Sequence, residues 1–146
     1  MATIYTSIEK LITRMPMRDI VELTDDDEKG DVDAVVLDQA IADVGAEIDS
    51  KLRGRYPLPL VGTVPDIIEH IAAILVIHNL YSRKHQLTLS DGLARQYKKA
   101  LADLNELQTG LQVLPGYESS DSHPAFIASN KTAKDRAFSQ SLLSRY

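Results

Sequence analysis

The chain contains no cysteine, which removes disulfides, thiolate metal sites and cysteine nucleophiles together and fits synthesis in a reducing cytoplasm. Tryptophan is also absent and aromatic residues make up only 5% of the sequence, so a core has to be assembled from Ile, Leu, Val and Ala. Long hydrophobic runs are missing too. The longest, residues 71–77, stops at His78, and the N-terminus has no basic region leading into an apolar stretch, so neither a membrane span nor a signal peptide is expected. The sequence lacks a nucleophile elbow and a phosphate-binding glycine loop, and its seven glycines are scattered singly. No enzyme activity and no cofactor are expected on that ground.

With 146 residues, 44% of them apolar and 25% charged, the chain is one ordinary soluble domain with a single core. Its net charge of −5 is unevenly spread. Asp19 to Lys51 carries twelve acidic and two basic residues, a charge of −10, whereas residues 115–146 carry four basic and three acidic, a charge of +1. Affinity for a duplex comes largely from neutralising its phosphates, so the acidic segment should repel DNA.

Periodicity predicts an all-α bundle of about four to five helices around a central apolar one. Residues 7–15 form a short helix with Ile8, Leu11, Ile12 and Met15 on one stripe, ended by Pro16, and a brief turn follows at 18–23. Asp31 or Asp33 then caps a long helix to about residue 53, with Val36, Ala40, Ile41, Val44, Ile48 and Leu52 inward. Gly54, in a left-handed conformation, and Pro57 end it, and Pro59 keeps the link extended. Pro65 opens the next helix, to about residue 84, with Asp66 at its positive end. Apolar residues cover nearly its whole circumference, which places it at the centre. The last helix, residues 90–107, is capped by Ser90 and turns Leu93, Tyr97, Leu101 and Leu104 inward.

After Gly110 the chain becomes rich in Ser, Asn, Gly and Pro with isolated large apolar residues. Such a segment buries too little surface to offset an ordering cost of roughly 1–2 kcal/mol per residue, so it needs a partner. The expected division is a helical body at 1–110 and a docking arm at 111–146. Lys131, Lys134 and Arg136 leave a weak nucleic-acid tail as the other reading, but a few large buried side chains carry most interface energy, so docking is preferred, with Phe126, Phe138, Leu142, Leu143, Arg145 and Tyr146 as the candidate partner contacts.

Residues 25–36 approach a calcium loop, but Lys29 stands at its fifth position and Val36 replaces the final bidentate Glu, so an acidic turn capping the long helix is the preferred reading. His70 and His78 lie eight apart, not at the three- or four-residue spacing that points two imidazoles at one metal, and His85 and His123 lie beyond that helix. No metal site is expected. Arg53, Arg55, Tyr56 and Leu58 at the proline link offer two readings: contacts to an anionic partner, or favourable positive charge at a helix C-terminus.

Several stretches together carry a family likeness: the LTDDD turn at residues 23–27 with Gly30 and Asp33, the pattern at 42–49, the motif LRGRYPLPL at 52–60, the central helix from Val64, the segment 97–110 and the ending FSQSLLSRY. With these, the chain resembles the Mu-like prophage head–tail adaptor family, the head-completion or connector proteins of tailed bacteriophages. The resemblance implies a non-enzymatic virion protein made in the bacterial host cytoplasm. It further implies binding below the dodecameric portal protein as a twelve-fold ring of neighbouring adaptor subunits, and contact with the next connector or tail protein. DNA would pass through without specific binding, with Arg53, Arg55, Tyr56 and Leu58 at ring contacts and Asp25, Asp26, Asp27 and Glu28 facing the lumen. The competing expectation is a small phage nucleic-acid-binding regulator. It needs a basic recognition helix, and residues 90–107 set Arg95, Lys98 and Lys99 against Asp91, Asp103 and Glu106.

Overall fold

A computed structural model describes residues 3–60, 62–84 and 88–117, which form five helices and no strand. The fold is the expected all-α bundle. Helix α1 spans Ile8–Ile12, α2 Met17–Thr24, α3 Ala34–Leu52, α4 Asp66–Arg83 and α5 Asp91–Thr109. The first helix is shorter than its stripe suggests, because Arg14 and Met15 both donate to the Leu11 carbonyl and the chain tightens before Pro16. Ile12 consequently turns outward, while Leu11 and Met15 stay buried.

Helix α4 packs against each of the other four, and that surroundedness is what its apolar circumference requires. Ile68, Ile71, Ala73, Val76 and Leu80 are completely enclosed. Each large aliphatic side chain so buried contributes about 1.5–3 kcal/mol. Pro65 precedes the first turn with extended backbone, and Asp66 and Glu69 place negative charge at the helix start. Glu69 also reaches Lys10 on α1, 3.0 Å away.

Helix α3 begins at Asp33, whose carboxylate accepts the Val35 and Val36 N–H groups at 2.9 and 3.3 Å. Thr24, fully buried, joins α2 to this start: its hydroxyl donates to the Ile20 carbonyl at 2.8 Å and accepts the Asp33 N–H at 3.3 Å. Leu37 is the buried residue of the first turn, with Val36 only partly covered beside it.

Two expectations about chain ends are corrected. Gly54 does not adopt a left-handed conformation; α3 closes through a right-handed turn in which Arg55 and Tyr56 both donate to the Leu52 carbonyl at 2.9 Å, carrying Tyr56 inward. The left-handed cap is Gly110 at the end of α5, with φ of 84°. Nor does the body stop at Gly110. Gln112 bonds back to the Glu106 carbonyl at 3.2 Å, Leu114 is 1% exposed, and the chain stays on the body through Tyr117. The Leu58–Pro59 peptide is cis.

Candidate functional site

Three constructions on this bundle bear on function. The first is the proline link. Leu52, Tyr56 and Leu60 are buried and Leu58 is half-buried against the same core, so the apolar members of LRGRYPLPL point into the protein. Tyr56 is 1% exposed, and its hydroxyl accepts the Leu114 N–H at 3.2 Å. The Arg55 guanidinium lies against Gly110, filling the space a side chain there would need, at the end of α5 where positive charge is favoured. Glycine at 110 is required by its φ, and the guanidinium takes up the space that the missing side chain leaves. The Tyr117 hydroxyl donates to the Thr63 carbonyl at 3.2 Å. Of the four residues expected at ring contacts, Arg53 alone is fully exposed. Tyr56 is corrected to a core residue, because its ring and hydroxyl are both used in holding the chain after α5.

The second construction is the acidic turn. Asp25 accepts the Gly30 N–H at 2.6 Å and the Asp27 N–H at 3.2 Å, and these loop amides, Gly30 first, hold its pKa below the usual carboxylate value. Asp26 is held low by Lys84 and then Arg83 at the end of α4, with the Lys84 amine 2.7 Å away. Both bases also donate to backbone carbonyls: Arg83 to Leu23 at 3.2 Å and Lys84 to Asp25 at 3.1 Å. Asp27 pairs with Lys29 at 2.5 Å. Glu28 sits at the tip with φ of 57°. Three of the four carboxylates expected to face a lumen thus have partners within the chain, so the turn acts as a clasp between α2 and α4. Among the described residues, Glu28 in the turn and Asp38 and Glu47 on α3 are exposed without an ion pair. Among the described residues no group of three or more His, Asp or Glu side chains is placed to hold a metal ion.

The third construction was not legible in the apolar pattern. Residues 3–6 run as an extended strap over α3, with the Thr3 carbonyl lying directly on Gly45. Asp49, only 8% exposed, receives the Thr3 hydroxyl at 2.8 Å and the Tyr5 hydroxyl through a short bond. Burial, then the bond to Asp49, pushes the Tyr5 pKa far above the usual phenol value, so the ring remains a donor. Ile41, Gly45 and Asp49 recur every four residues on one face. A carboxylate and a glycine in apolar register were the available signal. Between the strap, α1 and the front of α3 lies an open groove of about 880 Å³, floored by Ile8, Val32, Leu37 and Ile41 with Ile4 on its wall.

The histidines remain apart. His78 stacks on Tyr97 with ring centroids 3.6 Å apart and planes 7° from parallel, and burial lowers its pKa. His70 is exposed on another face. On α5, Lys99 pairs with Asp103 at 3.3 Å, which further weakens that helix as a basic surface. The arm contacts Phe126, Phe138, Leu142, Leu143, Arg145 and Tyr146, together with His85 and His123, lie outside the described residues.

No helix among the described residues is long and apolar enough to cross a membrane. No curated protein matches this chain. The sequence profile of the family described as Bacteriophage Mu, Gp36 matches residues 5–129, from the strap, through all five helices and the proline link, into the segment beyond Tyr117. That match covers most of the length, and the chain belongs to the bacteriophage Mu Gp36 family.

Proposed function

We propose that this Mu-like phage protein is a non-enzymatic morphogenesis component, a head–tail adaptor of the virion that joins the capsid portal to the tail as an oligomeric ring. The observation carrying this reading is how the chain after α5 is held. Arg55, Tyr56 and Thr63 in the link grip Gly110, Leu114 and Tyr117, so the most distinctive stretch of the sequence fixes the path of the chain that leads toward the C-terminal segment. A segment with that origin and with Phe126, Phe138, Leu142, Leu143, Arg145 and Tyr146 along it suits a docking arm for the portal or the next connector or tail protein. The exposed carboxylates of α3 suit a protein past which DNA slides, because they repel phosphate.

The test is mass determination of the full chain alone and then mixed with portal rings of its own phage. A defined ring complex with the portal is the expected result. Failure to associate, together with retained binding to duplex DNA at low salt, overturns the adaptor reading in favour of a regulator.

A further inference from the structure

The groove beside the N-terminal strap is a feature of the body that none of its lining side chains fills. Its floor is apolar, and Ile4 stands on its wall at 69% exposure. One polar group is stranded in it. Thr6 is 5% exposed, and its hydroxyl oxygen has no hydrogen-bond partner among the described residues, although buried hydroxyls are normally bonded. Ser7, next to it on the groove, caps α1 without making a side-chain cap bond. Asp38 stands on the same wall, exposed and without an ion pair among the described residues. An apolar trough with an unused hydroxyl and an unpaired carboxylate suits an extended peptide that brings large aliphatic or aromatic side chains, backbone carbonyls and positive charge.

This chain has such a peptide. Residues 129–146 carry Lys131, Lys134, Arg136 and Arg145 against the single acid Asp135, interleaved with Phe138, Leu142, Leu143 and Tyr146. The last described residue, Tyr117, is held at Thr63 and stands close enough to Tyr5 to disfavour ionisation of that phenol. Tyr5 in turn is bonded to Asp49, and on α3 Asp49 is about 12 Å from Ile41, two helical turns away. Residues 118–137, at roughly 3.3 Å each when extended, span that distance several times over. A tether of this length keeps its end at an effective concentration on the order of millimolar.

We propose that residues 129–146 of the same chain seat in the groove between the strap, α1 and the front of α3, with Phe138, Leu142 and Leu143 on its apolar floor and a basic side chain at Asp38. The inference rests on the docking-arm reading and adds where the arm is kept before a partner takes it. Seating covers the arm's apolar anchors on the free protein, so contact with the portal exchanges one apolar surface for another.

Since the chain has no cysteine, a single one introduced as Ser144→Cys in the full chain accepts one spin label. The expected result is paramagnetic broadening of Ile4, Thr6, Leu37 and Ile41 resonances, unchanged on dilution. It should be lost on reducing the label and largely lost in Ile4→Asp, a change at an exposed position that leaves the core intact. Broadening that appears only when labelled chains are mixed with unlabelled isotope-enriched ones overturns the proposal, since the groove then takes a neighbour's arm. Broadening elsewhere, or none, overturns it as well. The two readings separate in a portal-binding assay of the same samples. A chain that binds portal rings but shows no groove broadening when free refutes the seat alone, while groove broadening in the free chain without portal binding refutes the adaptor.

Discussion

Replacing Gly45 with alanine sets two effects of opposite sign against each other, and the structure decides between them. In the middle of a 19-residue helix, Gly→Ala should stabilise by about 1 kcal/mol through helix propensity. At Gly45, however, the added methyl would fall inside contact distance of the Thr3 carbonyl oxygen, which is backbone and has no alternative rotamer. The strap has to lift. Lifting it draws the Thr3 and Tyr5 hydroxyls away from Asp49, and hydrogen bonds to a charged group are worth roughly 1.5–3 kcal/mol each, the Thr3 bond less because it is partly exposed. Separation from both donors therefore outweighs the propensity gain, for a net loss of about 1–3 kcal/mol. Urea unfolding followed by helical circular dichroism measures it, with Gly54→Ala as the control, because nothing lies within 4 Å of a methyl there. The control should change stability by under about 1 kcal/mol. In the double variant Gly45→Ala/Asp49→Ala the two losses should fall short of additive, since both act on one contact. A Gly45→Ala protein as stable as the parent, or more so, would falsify the strap's role in holding α3.

Tyr56→Phe strands the buried Leu114 N–H and should cost about 1–3 kcal/mol in the same unfolding assay, with near-normal helix content. Truncation after Tyr117 should leave the midpoint of thermal unfolding close to that of the full chain, whereas truncation after Gly110 removes the enclosed Leu114 and should lower stability by about 2–5 kcal/mol. Burial lowers the His78 pKa below 6.5, so the unfolded chain takes up a proton first; stability is fully present above pH 6.5 and falls as the pH drops through and below that value. A series of melting temperatures between pH 8 and 5 should show this decline, and His78→Phe, which keeps a ring on Tyr97, should make it shallower. Asp25 and Asp26 have depressed pKa values, so their contribution is present above the unfolded carboxylate range near pH 4 and is lost as the pH falls below it; Asp26→Asn should reduce the acid sensitivity of the α2–α4 clasp, read by amide exchange at Leu23 and Lys84.

Much of the architecture could be read from periodicity because the core is aliphatic and the caps are strong. Asp33 and Ser90 occupy terminal positions whose chemistry is local: a short side-chain acceptor reaches amides two or three residues on. The apolar circumference of α4 announced its central place for the same reason, since only an element covered on all sides can hide it. The candidate site was less legible. Tyr56 resembles an interface aromatic in sequence, yet its hydroxyl is committed to Leu114, a residue 58 positions away that no local pattern links to it. Asp26 reads as bare acidity until α4 delivers Lys84 and Arg83 beside it.

By itself the sequence determined the helical class, the order and approximate limits of the helices, the lack of thiol chemistry and the excess of negative charge before the proline link. Those properties depend on spacing along one chain and on composition, so they survive without knowledge of neighbours. Only the tertiary structure decided which charges are neutralised, that Leu52, Tyr56 and Leu60 of LRGRYPLPL face inward, and that Gly45 and Asp49 receive an N-terminal strap. It also decided that the chain stays on the body as far as Tyr117. Each of these is a meeting of residues tens of positions apart, and in such meetings burial and pairing, which no single segment encodes, fix what a side chain is for.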